Sequence, residues 1–229
     1  MVQRKELVAF HEAGHAIVGA VMPDYDQVQK ITIIPRSNGA GGLTFFAPSD
    51  SRLESGLYSK QYLEAQLAVA LGGRLAEEII FGEDNVTTGA SNDIQQVANI
   101  AKRMVTQWGM SDKVGRVVVD DGQSGGQQAF MGRSMGQQGT QWGGKMMSTI
   151  DSEVERLVNN SYLRAKKVLT ENRALLERTA RDLVERETIT AEEFQLLLVE
   201  YKVKTCEFGI LGEERNRDKL PFQTLPAVL

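Results

Sequence analysis

Both histidines of this 229-residue chain lie in one short stretch, AFHEAGHAIVG at residues 9–19. In a helix, positions four residues apart share a face, so the imidazoles of His11 and His15 can point at one ion. Glu12 lies beside that face and can reach a water molecule there without binding the ion. This H-E-x-x-H arrangement is typical of zinc proteases, in which the glutamate acts as general base. The stretch predicts half of a zinc site; the alternative is a core helix with two hydrogen-bonded histidines.

A catalytic zinc ion needs a third protein ligand and an open position for water. The chain has no third histidine, and Val18 and Val21 stand where a metzincin would have glycine and histidine. Cys206 is the only cysteine, and it falls in a segment without helix or strand periodicity, so it would be a poor rigid ligand. The third ligand should therefore be a carboxylate.

Three carboxylates are candidates for this third position. Glu77 and Glu78 lie on a predicted helix with almost no polar face, so at least one of them needs a buried partner. Glu78 could instead pair with Arg74, four residues earlier. Asp93 lies in the first predicted turn of another helix, where the helix dipole favours an ionised carboxylate. Because the same position suits an aspartate that only complements the dipole, these patterns leave the choice open.

Hydrophobic periodicity predicts a mainly α fold with a small β element, an α+β class in which one helix carries the H-E-x-x-H motif. The predicted helices cover residues 4–21, 59–81, 94–108, 146–169, 172–186 and 190–201. Thr190 and Glu193 predict a capping box at the start of the last helix. Gly72 and Gly73 interrupt the second helix and indicate close packing against another backbone.

Two short strands are predicted near the front of the chain. The β-branched run Ile31-Thr32-Ile33-Ile34 is closed by Pro35, and GLTFF at 42–46 follows a glycine-rich turn, so the two could pair as a hairpin. VGRVVVDD at 114–121 predicts a further strand. Residues 122–144 are rich in Gly and Gln and predict a mobile surface loop, and 207–229 predict a disordered tail.

Composition excludes several classes of protein. The net charge of −4 argues against a nucleic-acid binder, which would usually present a basic face. A single cysteine excludes disulfides within the chain and any all-thiolate zinc site. No apolar run approaches the roughly 20 residues of a membrane span, so we expect no direct membrane insertion by these residues. The chain opens on a helical pattern, and we expect a domain of a longer protein.

Six motifs in this order resemble the peptidase domain of the FtsH family: HEAGHAIVG, ITIIPR, GGLTFF, GGRLAEEIIFG, TTGASNDI and MVTQWGMSDKVG. The members are membrane-anchored, ATP-dependent zinc metalloproteases. The resemblance covers about residues 4–201, within a peptidase domain expected at 1–206. The amino-acid sequence of these motifs is most similar to the cyanobacterial and chloroplast branch. The Gln- and Gly-rich residues that follow FMGR (residues 130–133) depart from the acidic, Ser-rich sequence expected of relatives.

The resemblance also implies roles for individual residues. It assigns Asp93 as the third ligand beside His11 and His15, with one Zn²⁺ per subunit, and Glu77 as a supporting residue near the site. Glu12 would take a proton from water and deliver it to the leaving amine.

The partners follow from the same resemblance. It implies a homo- or hetero-hexamer acting on unfolded or damaged polypeptides, beneath an ATPase ring that uses ATP and Mg²⁺. No Walker A motif precedes residue 1, so we expect the ATPase and the membrane anchor to be absent from this chain. The full-length protein is expected in the thylakoid, chloroplast or cyanobacterial membrane, with this domain facing stroma or cytoplasm.

Substrate is expected at the strand of residues 30–35, where an unfolded segment could pair with a free edge at Ile31, Thr32, Ile33 and Ile34. The alternative is an internal strand that is paired on both sides. For the chain as a whole, the competing function is a catalytically silent, ring-forming scaffold or chaperone homologue. A different zinc hydrolase, such as a deformylase, is disfavoured because the expected cysteine ligand upstream of the motif is missing.

Overall fold

The computed structural model describes residues 2–35, 41–119 and 143–204. The helices in these ranges are α1 (Val2–Val21), α2 (Asp50–Ser55), α3 (Lys60–Phe81), α4 (Ser91–Thr106), α5 (Gly144–Glu171), α6 (Arg173–Arg186) and α7 (Ala191–Glu200). The strands are β1 (Gln27–Thr32), β2 (Leu43–Ala47) and β3 (Thr188–Thr190). The predicted α+β class, mainly helical with a small sheet, is confirmed. Within the described ranges, no helix is both long and apolar enough to span a bilayer.

Local capping chemistry accounts for the starts of two helices. The hydroxyl of Ser59 accepts a hydrogen bond from the backbone N–H of Tyr62, which satisfies a donor in the first turn of α3. The predicted capping box at α7 is confirmed, because the Thr190 hydroxyl and the Glu193 carboxylate each accept a hydrogen bond from the other residue's backbone N–H. These boundaries depend on residues a few positions apart, which is why they could be predicted.

Helices α1 and α3 cross in close contact at the centre of the fold. A Cβ at Gly14 would overlap the carbonyl oxygen of Gly72, and a Cβ at Gly72 would lie 2.8 Å from the carbonyl oxygen of Gly14. Only glycine at both positions permits this approach of two backbones. The predicted close packing at Gly72 is confirmed, and it brings the motif helix against α3. Around the crossing, fully buried small residues complete the contact: Ala9, Ala13, Ala16, Ala68 and Ala76.

The three strands form one antiparallel sheet in the order β2-β1-β3. The predicted hairpin of β1 and β2 is confirmed. The predicted free edge at residues 30–35 is wrong, because Lys30–Thr32 also pair with β3. β3 is only three residues long and lies between two helices, so it has no visible alternation in the sequence. Among the described strands, the free edge on the hairpin side belongs to β2.

The four residues expected to bind substrate therefore occupy other positions. Ile31 is fully buried and, like Thr32, has a partner on each side. Ile33 lies beyond the end of β1, and its N–H donates to the carbonyl of Glu187. Ile34 is half-exposed and follows the strand.

Two further predictions concern regions at the limits of the described ranges. The predicted strand at 114–121 is wrong over 114–119, which forms a turn and irregular chain. Its Val119 N–H donates to the carbonyl of Thr106, at the end of α4, instead of to a strand partner. Of the predicted loop at 122–144, residues 122–142 lie outside the described ranges. The last residue of that predicted loop, Gly144, is the first residue of α5. Cys206 and the predicted tail at 207–229 also lie outside them.

A buried carboxylate fastens the segment after α4 to α5. The Glu153 side chain is 1% exposed and accepts hydrogen bonds from Arg156 at 2.9 Å and from the Ser111 hydroxyl at 2.9 Å, with Lys113 at 3.0 Å. The hydrogen bonds from Arg156, opposed by burial and assisted by Lys113 and Ser111, lower the pKa of Glu153 to about 2. The ionised form is therefore strongly favoured in the folded chain.

Acid should destabilise the fold through this cluster. A carboxylate whose pKa is lower in the folded chain adds stability above its unfolded pKa of 4.5, and this is lost as pH falls towards about 2. Between pH 6 and pH 3 we expect Glu153 to account for about 2 kcal/mol of unfolding free energy. Urea unfolding should show this as a flatter pH dependence in Glu153→Gln than in wild type, with exposed Glu155→Gln as control. Equal slopes in Glu153→Gln and wild type would contradict it.

Candidate metal centre

The two motif histidines face each other across one turn of α1. The Nε2 atoms of His11 and His15 are 3.0 Å apart, and the rings meet edge to face. Helix α3 passes directly beneath them at Gly73, where a Cβ would lie 2.6 Å from both Nε2 atoms. The absence of a side chain at Gly73 therefore keeps open the space in which these nitrogens converge.

The other ring nitrogen of each histidine is held by α3. Nδ1 of His15 lies 2.7 Å from the carbonyl oxygen of Val69, and Nδ1 of His11 lies 2.8 Å from Oε1 of Glu77. A carbonyl oxygen can only accept, so Nδ1 of His15 carries the hydrogen, and Nε2 of the neutral ring has a free lone pair. The Glu77 carboxylate selects the same tautomer at His11. Both Nε2 atoms are therefore oriented as metal ligands.

Asp93 completes the group from a different helix. It lies in the first turn of α4, and its Oδ2 is 3.2 Å from Nε2 of His11 and 3.6 Å from Nε2 of His15. Two ligands of a tetrahedral zinc ion, each about 2.0–2.1 Å from it, lie about 3.3 Å apart. The two nitrogens and the carboxylate oxygen fit such an ion. Among the described residues, no other set of His, Cys, Asp and Glu side chains converges in this way.

The charges of His11, His15 and Asp93 are coupled. Burial lowers the pKa of His11, but hydrogen bonds to Asp93 and Glu77 outweigh it and raise the pKa to about 9. Burial raises the pKa of Asp93, but a hydrogen bond from His11 and the nearby imidazole of His15 outweigh it and hold that pKa well below its usual range. Without a metal, a proton on His11 supplies the positive charge that this site favours. A bound cation would replace that proton, so metal affinity falls as pH falls.

Glu77 is fully buried and supports the site from behind His11. Besides the imidazole, its carboxylate accepts hydrogen bonds at 3.0 Å from both the backbone N–H and the hydroxyl of Thr87. Burial alone would raise the pKa of Glu77, but the hydrogen bonds with His11 and Thr87 lower it. Sequence reasoning missed Thr87; the TT pair before GASND was the available signal.

Glu78, the other carboxylate considered as a ligand, is directed away from the histidines. Its Oε1 accepts hydrogen bonds from the Tyr162 hydroxyl at 2.7 Å and from Nζ of Lys166 at 2.8 Å. The ion pair that satisfies Glu78 is therefore with α5, and not with Arg74 on its own helix. This contact packs α5 against α3 and contributes nothing to the metal cluster.

The glutamate of the motif is held by the hairpin. Glu12 is 7% exposed, and its Oε2 accepts a hydrogen bond from the Thr44 hydroxyl of β2 at 2.7 Å. A Cβ at Gly42 would lie 2.7 Å from Oε1 of Glu12, so the chain entering β2 also approaches the carboxylate closely. Sequence reasoning identified GLTFF as a strand but missed the contact of its threonine with Glu12. β2, and not β1, supplies the hydrogen bond to Glu12.

Two histidines and a glutamate on one motif helix, met by an aspartate from a second helix, have the arrangement of a metallopeptidase-type centre in a mainly helical domain. Residues 1–197 match the Peptidase family M41, and the chain belongs to this family.

The chain is also similar to full-length FtsH proteins. It is 57% identical to ATP-dependent zinc metalloprotease FtsH 3 of Synechocystis sp. over 202 residues, which cover 88% of this chain and 32% of the relative. It is 54% identical over 198 residues to ATP-dependent zinc metalloprotease FTSH 5, chloroplastic, of Arabidopsis thaliana (86% and 27%). It is 52% identical over 212 residues to the chloroplastic FTSH of Nicotiana tabacum (93% and 29%). The predicted resemblance is confirmed, and the matched part of the chain spans 27–32% of the length of these relatives.

Proposed function

We propose that this chain is the zinc-dependent endopeptidase domain, residues 1–206, of a membrane-anchored, ATP-dependent protease that degrades unfolded or damaged proteins. The observation that carries the proposal is the convergence of His11, His15 and Asp93 on one point, with Glu12 on the same helix. The family membership and the names of the relatives support it. No observation favours a catalytically silent scaffold, because the candidate ligands His11, His15 and Asp93 and the candidate base Glu12 are all present.

Different residues of the chain would have different roles in peptide hydrolysis. His11, His15 and Asp93 would hold zinc, with Glu77 fixing the orientation of His11. A bound zinc ion supplies Lewis-acid chemistry, acidifying water and polarising a carbonyl oxygen. The Glu12 carboxylate takes a proton from the attacking water and returns it to the nitrogen of the leaving amine.

Substrate would bind along β2. An extended peptide can add to the free edge of this strand through main-chain hydrogen bonds, which recognise backbone with little regard to side chains. Because Thr44 of β2 contacts Glu12, a peptide on that edge would lie close to the base. This replaces β1, whose residues 30–32 are paired on both sides.

Partners and location are proposed from the relatives. The names of the relatives describe them as ATP-dependent, and several as chloroplastic. We place the use of ATP and Mg²⁺ in the part of their length that this chain does not span. The domain would work in a homo- or hetero-hexamer on the stromal or cytoplasmic side of a chloroplast, thylakoid or cyanobacterial membrane.

Metal removal tests the proposed function. The purified chain should contain about one zinc ion and cleave casein, lose cleavage when a chelator removes the zinc, and recover on addition of zinc. Zinc content by atomic absorption and casein fragments on a gel give the two readouts. Protein that holds no zinc and stays inactive when zinc is added would contradict the proposal and favour the scaffold.

A further inference from the structure

We infer that Thr44 is a positioning residue for the general base: its hydroxyl holds the Glu12 carboxylate in the orientation that proton transfer requires. The inference rests on the proposed function, since it assigns Thr44 a part in the same reaction. Thr44 lies on β2 and Glu12 on α1, 32 residues apart in the sequence. Nothing in the H-E-x-x-H motif itself specifies this partner.

The contact has the geometry of a strong hydrogen bond. Oγ1 of Thr44 lies 2.7 Å from Oε2 of Glu12 and 3.0 Å from its main-chain oxygen. Hydrogen bonds from a hydroxyl to a carboxylate are short, about 2.5–2.7 Å, and about twice as strong as neutral ones. A threonine has only one hydroxyl proton, so the shorter, charge-assisted contact is favoured.

The two oxygens of the carboxylate have different surroundings. Among the described residues, Oε2 accepts from Thr44, whereas Oε1 accepts no hydrogen bond and forms no ion pair. Oε1 instead lies against Gly42, where a Cβ would be 2.7 Å away. Thr44 therefore fixes one oxygen and leaves the other able to accept a proton. The missing side chain at Gly42 leaves the room that this orientation needs.

The position of Thr44 is set by the sheet. Thr44 is paired with Ile31, which is fully buried and also paired with Ile189 of β3. The central strand, held on both sides, determines where β2 lies and so where the hydroxyl meets Glu12. Because a catalytic base must be within hydrogen-bond reach of its proton, a loss of this alignment should reduce turnover more than substrate binding.

The test compares variants of the full chain, loaded with zinc, in cleavage of a fluorogenic peptide. Thr44→Val keeps the shape but loses the hydroxyl, and should lower kcat roughly 10- to 100-fold with little change in KM. Thr44→Ser keeps the hydroxyl and should stay within about threefold of wild type. Thr170→Val removes an exposed hydroxyl that donates to the Lys166 carbonyl within α5, and should match wild type. Zinc content should be the same in all four proteins.

A double variant separates positioning of the base from a general loosening of the fold. Thr44→Val should cause no further loss in a Glu12→Gln background, because the two residues act as one unit. Where Thr44→Val does not fold, Thr44→Ala provides the hydroxyl-free comparison with Thr44→Ser. The inference is overturned if Thr44→Val has the kcat of wild type, if the serine variant is equally impaired, or if the loss lies only in KM. A wild-type chain that holds zinc but cleaves nothing would instead refute the proposed function, and the role of Thr44 with it.

Discussion

Glu12→Gln is expected to lower peptide cleavage by about 10²- to 10⁴-fold while leaving bound zinc unchanged, because it removes the proton acceptor and no metal ligand. The amide is nearly the same size as the carboxylate and can still accept from the Thr44 hydroxyl, so the contact between α1 and β2 is kept. The loss should appear in kcat, since the proton transfer occurs on the way to the transition state.

Glu6→Gln is the matched control for this substitution. Glu6 lies on the same helix and is exposed, so the change removes the same charge without touching the centre. Its activity and zinc content should equal those of wild type. If Glu12→Gln and wild type cleave peptide at the same rate, Glu12 is not the base.

Asp93→Ala is expected to abolish stable zinc binding about as completely as His15→Ala, and to lose activity for that reason. The aspartate would supply the third ligand atom of the cluster, and it is the only member of the cluster on α4. Two imidazoles alone leave the ion with too few protein ligands. Glu77→Gln should weaken zinc binding less, by about 10- to 100-fold, because Glu77 orients a ligand without being one.

Zinc titration by calorimetry, alongside thermal unfolding of the metal-free proteins, distinguishes loss of a ligand from loss of the fold. Asp93 also complements the dipole of α4, but that effect is only about 0.3–1 kcal/mol, too small to unfold the domain. The neighbouring Asn92→Ala alters the same helical turn at an exposed position and should retain zinc. Zinc affinity in Asp93→Ala equal to that of wild type would remove Asp93 from the ligand set.

The sheet shows where sequence prediction stopped. The β-branched run ending at Ile34 predicted a strand near the right place, and GLTFF predicted its hairpin partner. The order of strands was not predictable, because β3 has only three residues and joins β1 from the far end of the chain. That one pairing moves the free edge, and with it the proposed substrate site, from β1 to β2.

The metal centre, too, was only partly predictable from the sequence. The ring tautomers of His11 and His15 depend on Glu77, 66 residues from His11, and on the Val69 carbonyl. Carboxylate candidates could be named from the sequence, and the family resemblance pointed to Asp93. The separation of Glu78 from the cluster depends on Tyr162 and Lys166 of α5, which no local pattern connects to it.

By itself, the sequence determined the helical class, the capping box of α7 and the placement of His11, Glu12 and His15 around one face of α1. These features depend on helix periodicity and on hydrogen bonds between residues a few positions apart. Only the tertiary structure decided which carboxylate meets the histidines, which strand lies beside the base, and that Thr44 holds Glu12. Those outcomes depend on how helices and strands distant in sequence pack, as in the close approach of α1 and α3 at Gly14 and Gly72.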